Sequence, residues 1–227
     1  MSRRVLVVGA TGTIGRAVCE ALVLRGDRVV ALARTMKSLE ALRRSLVKSN
    51  RDCKVDVIAA DLSEEGAPRL AAAGALIGAS IDDLVVCVGP FERAPIESVQ
   101  RAAMDRLMAV HAFAPLLLVR ALRKSLARSK GAVVALTDQG VERPFPNHSA
   151  YLAAKGALDA GMRALAVELA PDIRINVLRP GVVSSAGSKR LASRSLLGRF
   201  GTAEEVAAVV LAMLDATWLS GQSWPVG

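Results

Sequence analysis

Aromatic residues are scarce in this chain. Phenylalanine, tryptophan and tyrosine make up 3% of its 227 residues, and Tyr151 is the single tyrosine. So few rings leave no set of interleaved aromatic and basic residues of the kind that stacks nucleic-acid bases. We therefore interpret the net charge of +9 as a solvated basic surface that also attracts anionic small molecules, and expect no nucleic-acid partner. The alternative is a nucleic-acid surface on a helix face that carries Arg120, Arg123, Lys124, Arg128 and Lys130.

Cysteines and long apolar runs are also few. The three cysteines, Cys19, Cys53 and Cys87, are odd in number and lack close metal-ligand spacing, so we expect no metal site and a reducing, cytoplasmic setting. No apolar run reaches the roughly 18 residues of a membrane span. The first apolar run, after Arg4, is too short for a signal-peptide core. We therefore expect no membrane partner. With 52% hydrophobic residues, residues 1–227 should form a single domain.

Short apolar segments alternate with segments of helical periodicity along the whole chain. Strands are predicted near residues 5–8, 28–33, 54–59, 81–89, 131–137, 174–178 and 220–227. Helices are predicted over residues 13–24, 36–49, 95–129, 151–169 and 202–216, with one more beginning near Ser63. Regular alternation predicts an α/β fold: a Rossmann-type, doubly wound parallel sheet of about seven strands with helices on both faces.

A glycine-rich loop joins the first strand to the first helix. Glycines at this point permit a tight turn and let backbone N–H groups approach a pyrophosphate, which the helix N-terminus also favours electrostatically. The alternative is a plain glycine-rich turn. The position of the loop favours a dinucleotide site, and its predicted members are Gly9, Thr11, Gly12, Thr13, Ile14 and Gly15.

The end of the second strand predicts which dinucleotide binds. An acidic residue there would favour NAD, but this chain has Arg34, whose guanidinium suits a 2′-phosphate. We therefore predict NADPH. Against this, Arg34 could be a solvated residue at a strand end, and the glycine loop has no basic residue to help it. Asp61 and Leu62, after the third strand, are predicted to meet the adenine, although Asp61 also fits a helix cap.

Tyr151 and Lys155 are four residues apart in a predicted helix and therefore share one face. A phenol with a pKa near 10 needs a neighbouring cation to exchange protons near neutral pH. The alternative is a surface pair on an alanine-rich helix.

Taken together, these motifs resemble the short-chain dehydrogenase/reductase family. The resemblance rests on GATGTIG, AADLS, CVG, YLAAK, INVLRPG and RFGTAEEVA, which span nearly the whole chain. It implies that Tyr151 donates the proton, and that Lys155 binds the nicotinamide ribose and lowers the tyrosine pKa. It also implies a small-molecule substrate, a homodimer or homotetramer, and a mobile substrate lid after residue 185. The further cofactor contacts implied are Val88, Gly89, Pro180, Gly181, Val183 and Ser185.

Two positions depart from the family pattern. Asp138 stands where the family usually has a catalytic serine, and His111 stands where it usually has an asparagine. In the family, the carbonyl at the asparagine position holds a water that feeds a proton relay. Pro115 lacks an N–H and leaves the carbonyl of His111 without its helical partner, so that relay could persist. The alternative for His111 is a structural histidine in a helix.

Asp138 makes the chain similar to the pteridine reductase branch, which includes dihydromonapterin reductases. Phe91 falls where that branch has an aromatic that stacks on a pterin, and His148 is the other predicted substrate contact. We therefore expect reduction of a dihydropterin-like C=N bond. One alternative is a ketone or acyl-thioester reductase, with Thr137 in place of the serine. Another is a non-catalytic NADP-binding sensor.

Overall fold

Seven apolar segments form one parallel sheet in the computed structural model, which describes residues 2–77, 79–183 and 195–227. The strands are β1 (Arg4–Val8), β2 (Arg28–Ala33), β3 (Val55–Ala59), β4 (Asp83–Val86), β5 (Ala132–Leu136), β6 (Arg174–Pro180) and β7 (Ser223–Val226). Their spatial order is β3-β2-β1-β4-β5-β6-β7, and every neighbouring pair is parallel. The prediction of a Rossmann-type doubly wound sheet is therefore confirmed.

Helices cover both faces of the sheet, which explains why the central strands are apolar on both sides. In β1, Val5 and Val7 pack into one core cluster, whereas Leu6 and Val8 pack into the other. The first cluster receives side chains from α1, α2 and α7, and the second from α3, α5 and α6. The helices are α1 (Thr13–Arg25), α2 (Met36–Ser49), α3 (Ala67–Ala75), α4 (Arg101–Met108), α5 (Ala114–Arg128), α6 (Ser149–Leu169) and α7 (Ala203–Asp215).

The helix expected from Ser63 begins later, at Ala67. The carboxylate of Asp61 accepts hydrogen bonds from the backbone N–H and the hydroxyl of Ser63, at 3.0 and 2.7 Å. These contacts hold the segment in a turn, as short polar side chains do when they bond to nearby backbone. Pro68 then occupies the first turn of α3, where its missing N–H costs no helical hydrogen bond.

The helix predicted over residues 95–129 is interrupted. A 3₁₀ turn (Ile96–Ser98) precedes α4, and a π-helical turn (Ala109–Phe113) separates α4 from α5. Pro115 has no N–H with which to donate to the carbonyl of His111, which accounts for a widened turn at this point. The π-helical turn places the side chain of His111 in the interior.

One helical stretch, Arg101–Arg128, is long and apolar enough to cross a membrane when judged by length and composition alone. The core helices of globular domains have the same character. Leu118, Leu122 and Leu126 of this stretch lie in the second core cluster. Packing inside this domain therefore accounts for much of its apolar composition.

The parallel arrangement brings the carboxyl ends of all the strands to one edge of the sheet. The glycine loop, Arg34, Asp61, Gly89 and Asp138 each follow directly or closely after a strand, so all of them lie along this edge. In open α/β sheets, ligands bind at this edge, at the point where the strand order reverses. Here the reversal is at β1, whose neighbours are β2 and β4.

Candidate active site

The loop between β1 and α1 has the shape that its glycines allow. Gly9 has φ +77°, and a Cβ on it would lie 2.6 Å from the carbonyl oxygen of Cys87. A Cβ on Gly15 would lie 2.2 Å from the carbonyl oxygen of Gly9. Gly12 is the N-cap of α1 and supplies no side-chain cap, and both Gly12 and Thr13 are exposed. The first turn of α1, which includes Ile14, thus presents uncapped backbone N–H groups, an arrangement that fits a pyrophosphate.

The residues that follow β2 and β3 lie beside this loop. Arg34 is exposed immediately after β2. Two hydrogen bonds from Ser63 lower the pKa of Asp61, whose charge also lies near that of Arg34. Leu62 is buried in the core. Asp61 therefore holds a turn and does not cap a helix, because the N-cap of α3 is Gly66. Contact of Asp61 or Leu62 with an adenine stays a prediction.

The centre of the site is a hydrogen bond between Tyr151 and Asp138. The hydroxyl of Tyr151, in the first turn of α6, donates to Oδ2 of Asp138 at 2.8 Å. The other carboxylate oxygen accepts the backbone N–H of Gly140 at 2.6 Å. Two donors thus point at the carboxylate. The hydroxyl of Thr137 is buried and has no hydrogen-bond partner among the described residues. The geometry therefore favours Asp138 over Thr137 as the group that replaces the family's serine.

The pKa of Tyr151 differs from the expectation. Burial, followed by the negative charge of Asp138 and their hydrogen bond, raises this pKa well above its usual value. The side chain of Lys155 donates instead to the carbonyl oxygens of Leu136 and Val88, at 3.1 and 3.4 Å, and its Nζ lies 6.0 Å from the centre of the tyrosine ring. In this arrangement, burial and the carboxylate therefore outweigh any lowering of the tyrosine pKa by Lys155.

Burial also favours the neutral forms of the two neighbouring bases. It lowers the pKa of Lys155 to about 8, although Asp138 opposes this shift. Burial, followed by the charge of Lys155, lowers the pKa of His111 to about 3, so this imidazole is neutral near pH 7. Its Nε2 lies 3.1 Å from the carbonyl oxygen of Pro90, an acceptor, so Nε2 carries the hydrogen.

His111 and Gly89 are matched in shape. A Cβ on Gly89 would lie 1.7 Å from Cε1 of His111, and Gly89 has φ +125°, which favours glycine. The imidazole also stands edge-on to Tyr151, with ring centres 5.4 Å apart. His111 thus fills the space between the turn after β4 and the tyrosine, which fits its alternative interpretation as a structural residue as well as a catalytic one.

Several of the chain's few aromatic rings lie close to Tyr151. Phe91 lies 4.7 Å from His148, with a 30° angle between the rings, and stands edge-on to Tyr151 at 5.1 Å. Phe145 packs against Phe91 and His148, at 6.1 and 4.7 Å. Phe145 was not among the predicted site residues, although the scarcity of aromatics made any ring close to Tyr151 a candidate. Phe91 is 64% exposed and is therefore accessible to a ligand.

His148 borders a small cavity of about 40 Å³ beside Tyr151. Its Nδ1 lies 2.8 Å from the carbonyl oxygen of Pro146, whereas its Nε2 is buried and has no partner within the described part of the chain. A hydrogen on Nδ1 leaves Nε2 as an acceptor. The cavity has room for ordered water that would donate to it.

The remaining predicted cofactor contacts lie at the end of β6 and in the segment that follows it. Pro180 is the last residue of β6, and the N–H of Gly181 donates to the carbonyl oxygen of Val226 at 2.7 Å. Val183 pairs with Gly201 in an isolated bridge at the same edge. Ser185, predicted to contact the cofactor, and the predicted lid that follows it fall within residues 184–194, outside the described residues.

Comparison with known proteins gives the family. The sequence model of the short chain dehydrogenases matches residues 3–195. The chain belongs to this family. The predicted enzyme class, an oxidoreductase, is therefore confirmed. The match covers every strand of the sheet except β7 and includes both Tyr151 and Lys155.

Similar proteins extend along nearly the whole chain. L-xylulose reductase of Bos taurus is 32% identical over 240 residues, which cover 99% of this chain and 94% of that protein. D-erythrulose reductase of Gallus gallus is 31% identical over 227 residues, or 94% of this chain and 88% of that protein.

Solved structures share the fold. L-sorbose reductase of Gluconobacter frateurii, in complex with NADPH and L-sorbose, aligns with a TM-score of 0.93 at 21% identity, covering 99% of this chain and 95% of that one. An NADPH-bound short-chain oxidoreductase of Pseudomonas aeruginosa PAO1, described as containing an atypical catalytic center, aligns with a TM-score of 0.92 at 22% identity and the same coverage. At these identities, the likeness shows the common fold.

The fit between His111 and Gly89 predicts the effect of one methyl group. We expect Gly89→Ala to reduce the free energy of unfolding by at least about 2 kcal/mol, because the methyl overlaps the imidazole and φ is unfavourable for alanine. Gly156→Ala is the control, since a Cβ there meets no atom within 4 Å and alanine favours a helix. The double variant Gly89→Ala/His111→Ala should recover part of the lost free energy of unfolding, because the imidazole that the methyl overlaps is removed. Equal denaturant midpoints for Gly89→Ala and Gly156→Ala would contradict the packing argument.

Proposed function

We propose that this short-chain dehydrogenase is an NADPH-dependent reductase that acts on a C=N bond in a flat, conjugated ring of the dihydropterin class. The observation that carries the proposal is the carboxylate of Asp138, 2.8 Å from the hydroxyl of Tyr151, at the place where the family usually has a serine hydroxyl. The pteridine reductase branch has the same replacement, which adds support for this substrate class.

The first element of the proposal is the cofactor. The glycine loop offers the uncapped helix N-terminus that suits a pyrophosphate. Arg34, exposed after β2, offers a guanidinium to a 2′-phosphate, and β2 is not followed by an acidic residue there. The similar L-sorbose reductase was solved with NADPH. When bound, the cofactor would supply the hydride, and Lys155 would hold its nicotinamide ribose.

The charge of Asp138 discriminates between substrate classes. When a ketone accepts a hydride, its oxygen becomes negative, and a neighbouring carboxylate repels that charge. When a C=N bond is reduced, the nitrogen gains a proton, and its N–H group can donate to the carboxylate. Since Tyr151 and Gly140 both donate to Asp138, its carboxylate acts as an acceptor in this arrangement.

The protonated phenol of Tyr151 is the proton donor of the proposed reaction. Burial and Asp138 raise the pKa of Tyr151, so its hydroxyl keeps its proton until hydride transfer makes the acceptor atom strongly basic. In the proposed reaction, Tyr151 therefore delivers the proton to the ring nitrogen, while Asp138 accepts the N–H groups of the same ring.

Phe91 supports a flat substrate. Phe91 is 64% exposed and its ring centre lies 5.1 Å from that of Tyr151, so a planar ligand that approaches the hydroxyl can also contact Phe91. His148 and Phe145 pack against Phe91. Burial of a conjugated ring against this group would provide apolar contact.

The main alternative is a carbonyl reductase acting on a ketose. The similarity to L-xylulose and D-erythrulose reductases over almost the full length supports it. Asp138 argues against it on the electrostatic grounds given above. A non-catalytic NADP sensor is the other alternative, and the location of Tyr151, Lys155 and Asp138 in one buried site argues against it.

Tyr151→Phe tests whether the protein is an enzyme of the proposed kind. We expect turnover to fall by at least about a hundredfold, because the proton donor is removed while the ring is kept. NADPH binding, measured by fluorescence titration, should change little. A phenylalanine variant that retains the wild-type kcat would exclude Tyr151 as the donor.

Arg34→Ala tests the choice of cofactor. We expect the Kd for NADPH to rise by a factor that corresponds to about 1–3 kcal/mol, while the Kd for NADH changes little, because only NADPH has the 2′-phosphate. Lys37→Ala is the control: this exposed residue, three positions further along, removes the same charge. Equal losses for both cofactors, or equal effects of both variants, would show that Arg34 does not contact the phosphate.

Asp138→Ser tests the substrate class. With NADPH oxidation followed at saturating cofactor, we expect the rate on a dihydropterin to fall and the rate on L-xylulose or an activated ketone to hold or rise. Asp138→Asn, which keeps the shape and removes the charge, should lower the dihydropterin rate in the same way. Loss of ketone reduction with dihydropterin reduction intact would overturn the proposal in favour of the ketose alternative.

A further inference from the structure

A second cleft, of about 290 Å³, lies at the edge of the sheet opposite the candidate active site. It opens between the C-terminal end of α3 and the last turns of α5, just before the chain enters the amino end of β4. Its volume is near the lower end of the range for small-molecule sites. The residues that line it are Leu76, Ala79, Ser80, Lys124, Ser125 and Arg128.

Buried polar contacts hold both walls of this cleft in place. The hydroxyl of Ser125 accepts the N–H of Ile81 at 2.7 Å and donates to the carbonyl oxygen of Ile81 at 2.9 Å. The guanidinium of Arg4 donates to the carbonyl oxygens of Ala75 and Ala79, at 2.6 and 2.9 Å. The first pair of bonds fixes the segment before β4 to α5, and the second fixes the end of α3. The cleft is therefore preformed.

The side of the cleft that α5 forms is positively charged. Lys124 and Arg128 lie four residues apart on α5, where like charges repel, and neither has an acidic partner within 4.0 Å among the described residues. The helix dipole favours Arg128, in the last turn, but acts less on Lys124, one turn earlier. The acidic groups at this edge are already engaged, because Asp56 and Asp82 both accept from Arg4.

The other side of the cleft is apolar. Leu76 and Ala79 line it, and Leu76 is 38% exposed. An unpaired cationic wall facing an exposed apolar wall is complementary to a ligand that is both anionic and apolar.

We propose that this cleft binds a single amphipathic anion, with a phosphate or carboxylate head on Ser80, Lys124 and Arg128 and an aliphatic tail along Leu76 and Ala79. The positive charges of Lys124 and Arg128 attract an anionic head, and the apolar wall provides contacts for an aliphatic tail. The fixed walls and the small volume favour one molecule over an extended surface. The site is remote from Tyr151 and does not depend on which substrate the enzyme reduces.

The test is calorimetric titration of the full chain with decyl phosphate and with decanoate, below their critical micelle concentrations. We expect saturable binding of at least one of them, and the two arms identify the preferred head. Inorganic phosphate and decanol should each bind at least about tenfold more weakly, because one lacks the tail and the other lacks the charge. Failure of both amphiphiles to bind, including a result in which only anionic vesicles bind, would overturn the proposal.

A matched pair of variants locates the site. Lys124→Gln with Arg128→Gln should weaken the binding by about tenfold or more. Arg120→Gln with Arg123→Gln makes the same change of charge on α5 outside the cleft and should alter the affinity by less than about twofold. NADPH turnover should be the same in both pairs. Equal weakening in the two pairs would assign the binding to general surface charge and overturn the proposal.

Discussion

The parallel pairing of the seven strands is the constraint on which the rest of the structure depends. Parallel strands require crossover helices, which bury both faces of the sheet and so demand strands that are apolar on both sides, as β1 is. The same arrangement sends every strand end to one edge. Residues as distant in the sequence as Gly9, Gly89 and Asp138 therefore lie along a single edge of the sheet, while the opposite edge carries the cationic cleft at α5.

Burial at the carboxyl edge shifts the ionisable groups of the site toward their neutral forms. It lowers the pKa values of Lys155 and His111 and raises that of Tyr151. Lys155 uses its hydrogen bonds on two backbone carbonyls, and His111 is a neutral ring packed against Gly89. Asp138 is then the acidic group that interacts directly with the tyrosine hydroxyl. Burial and this one carboxylate together set the electrostatic character of the site.

Most of the fold could be predicted from the sequence, because strand and helix periods, turn glycines and the Tyr151–Lys155 spacing are local signals. β2 and α2 have the predicted bounds, and Gly26 ends α1 with φ +89°, a left-handed conformation that favours glycine. The interruption of the long helix was harder to predict, since periodicity continues through a π-helical turn. The pKa of Tyr151 could not be predicted from spacing, because it depends on how deeply the ring is buried and on where the Asp138 side chain points.

The aromatic group supports the flat substrate that we propose. A chain with 3% aromatic residues places Phe91, Phe145 and Tyr151 in mutual or linked contact with His148, and His111 stands against the tyrosine from the other side. Core packing does not explain Phe91, because most of its ring is exposed. An exposed aromatic face next to a proton donor and a carboxylate acceptor suits a planar molecule with N–H groups at its edge. A ketose, which has neither a flat face nor N–H donors, would leave both features unused.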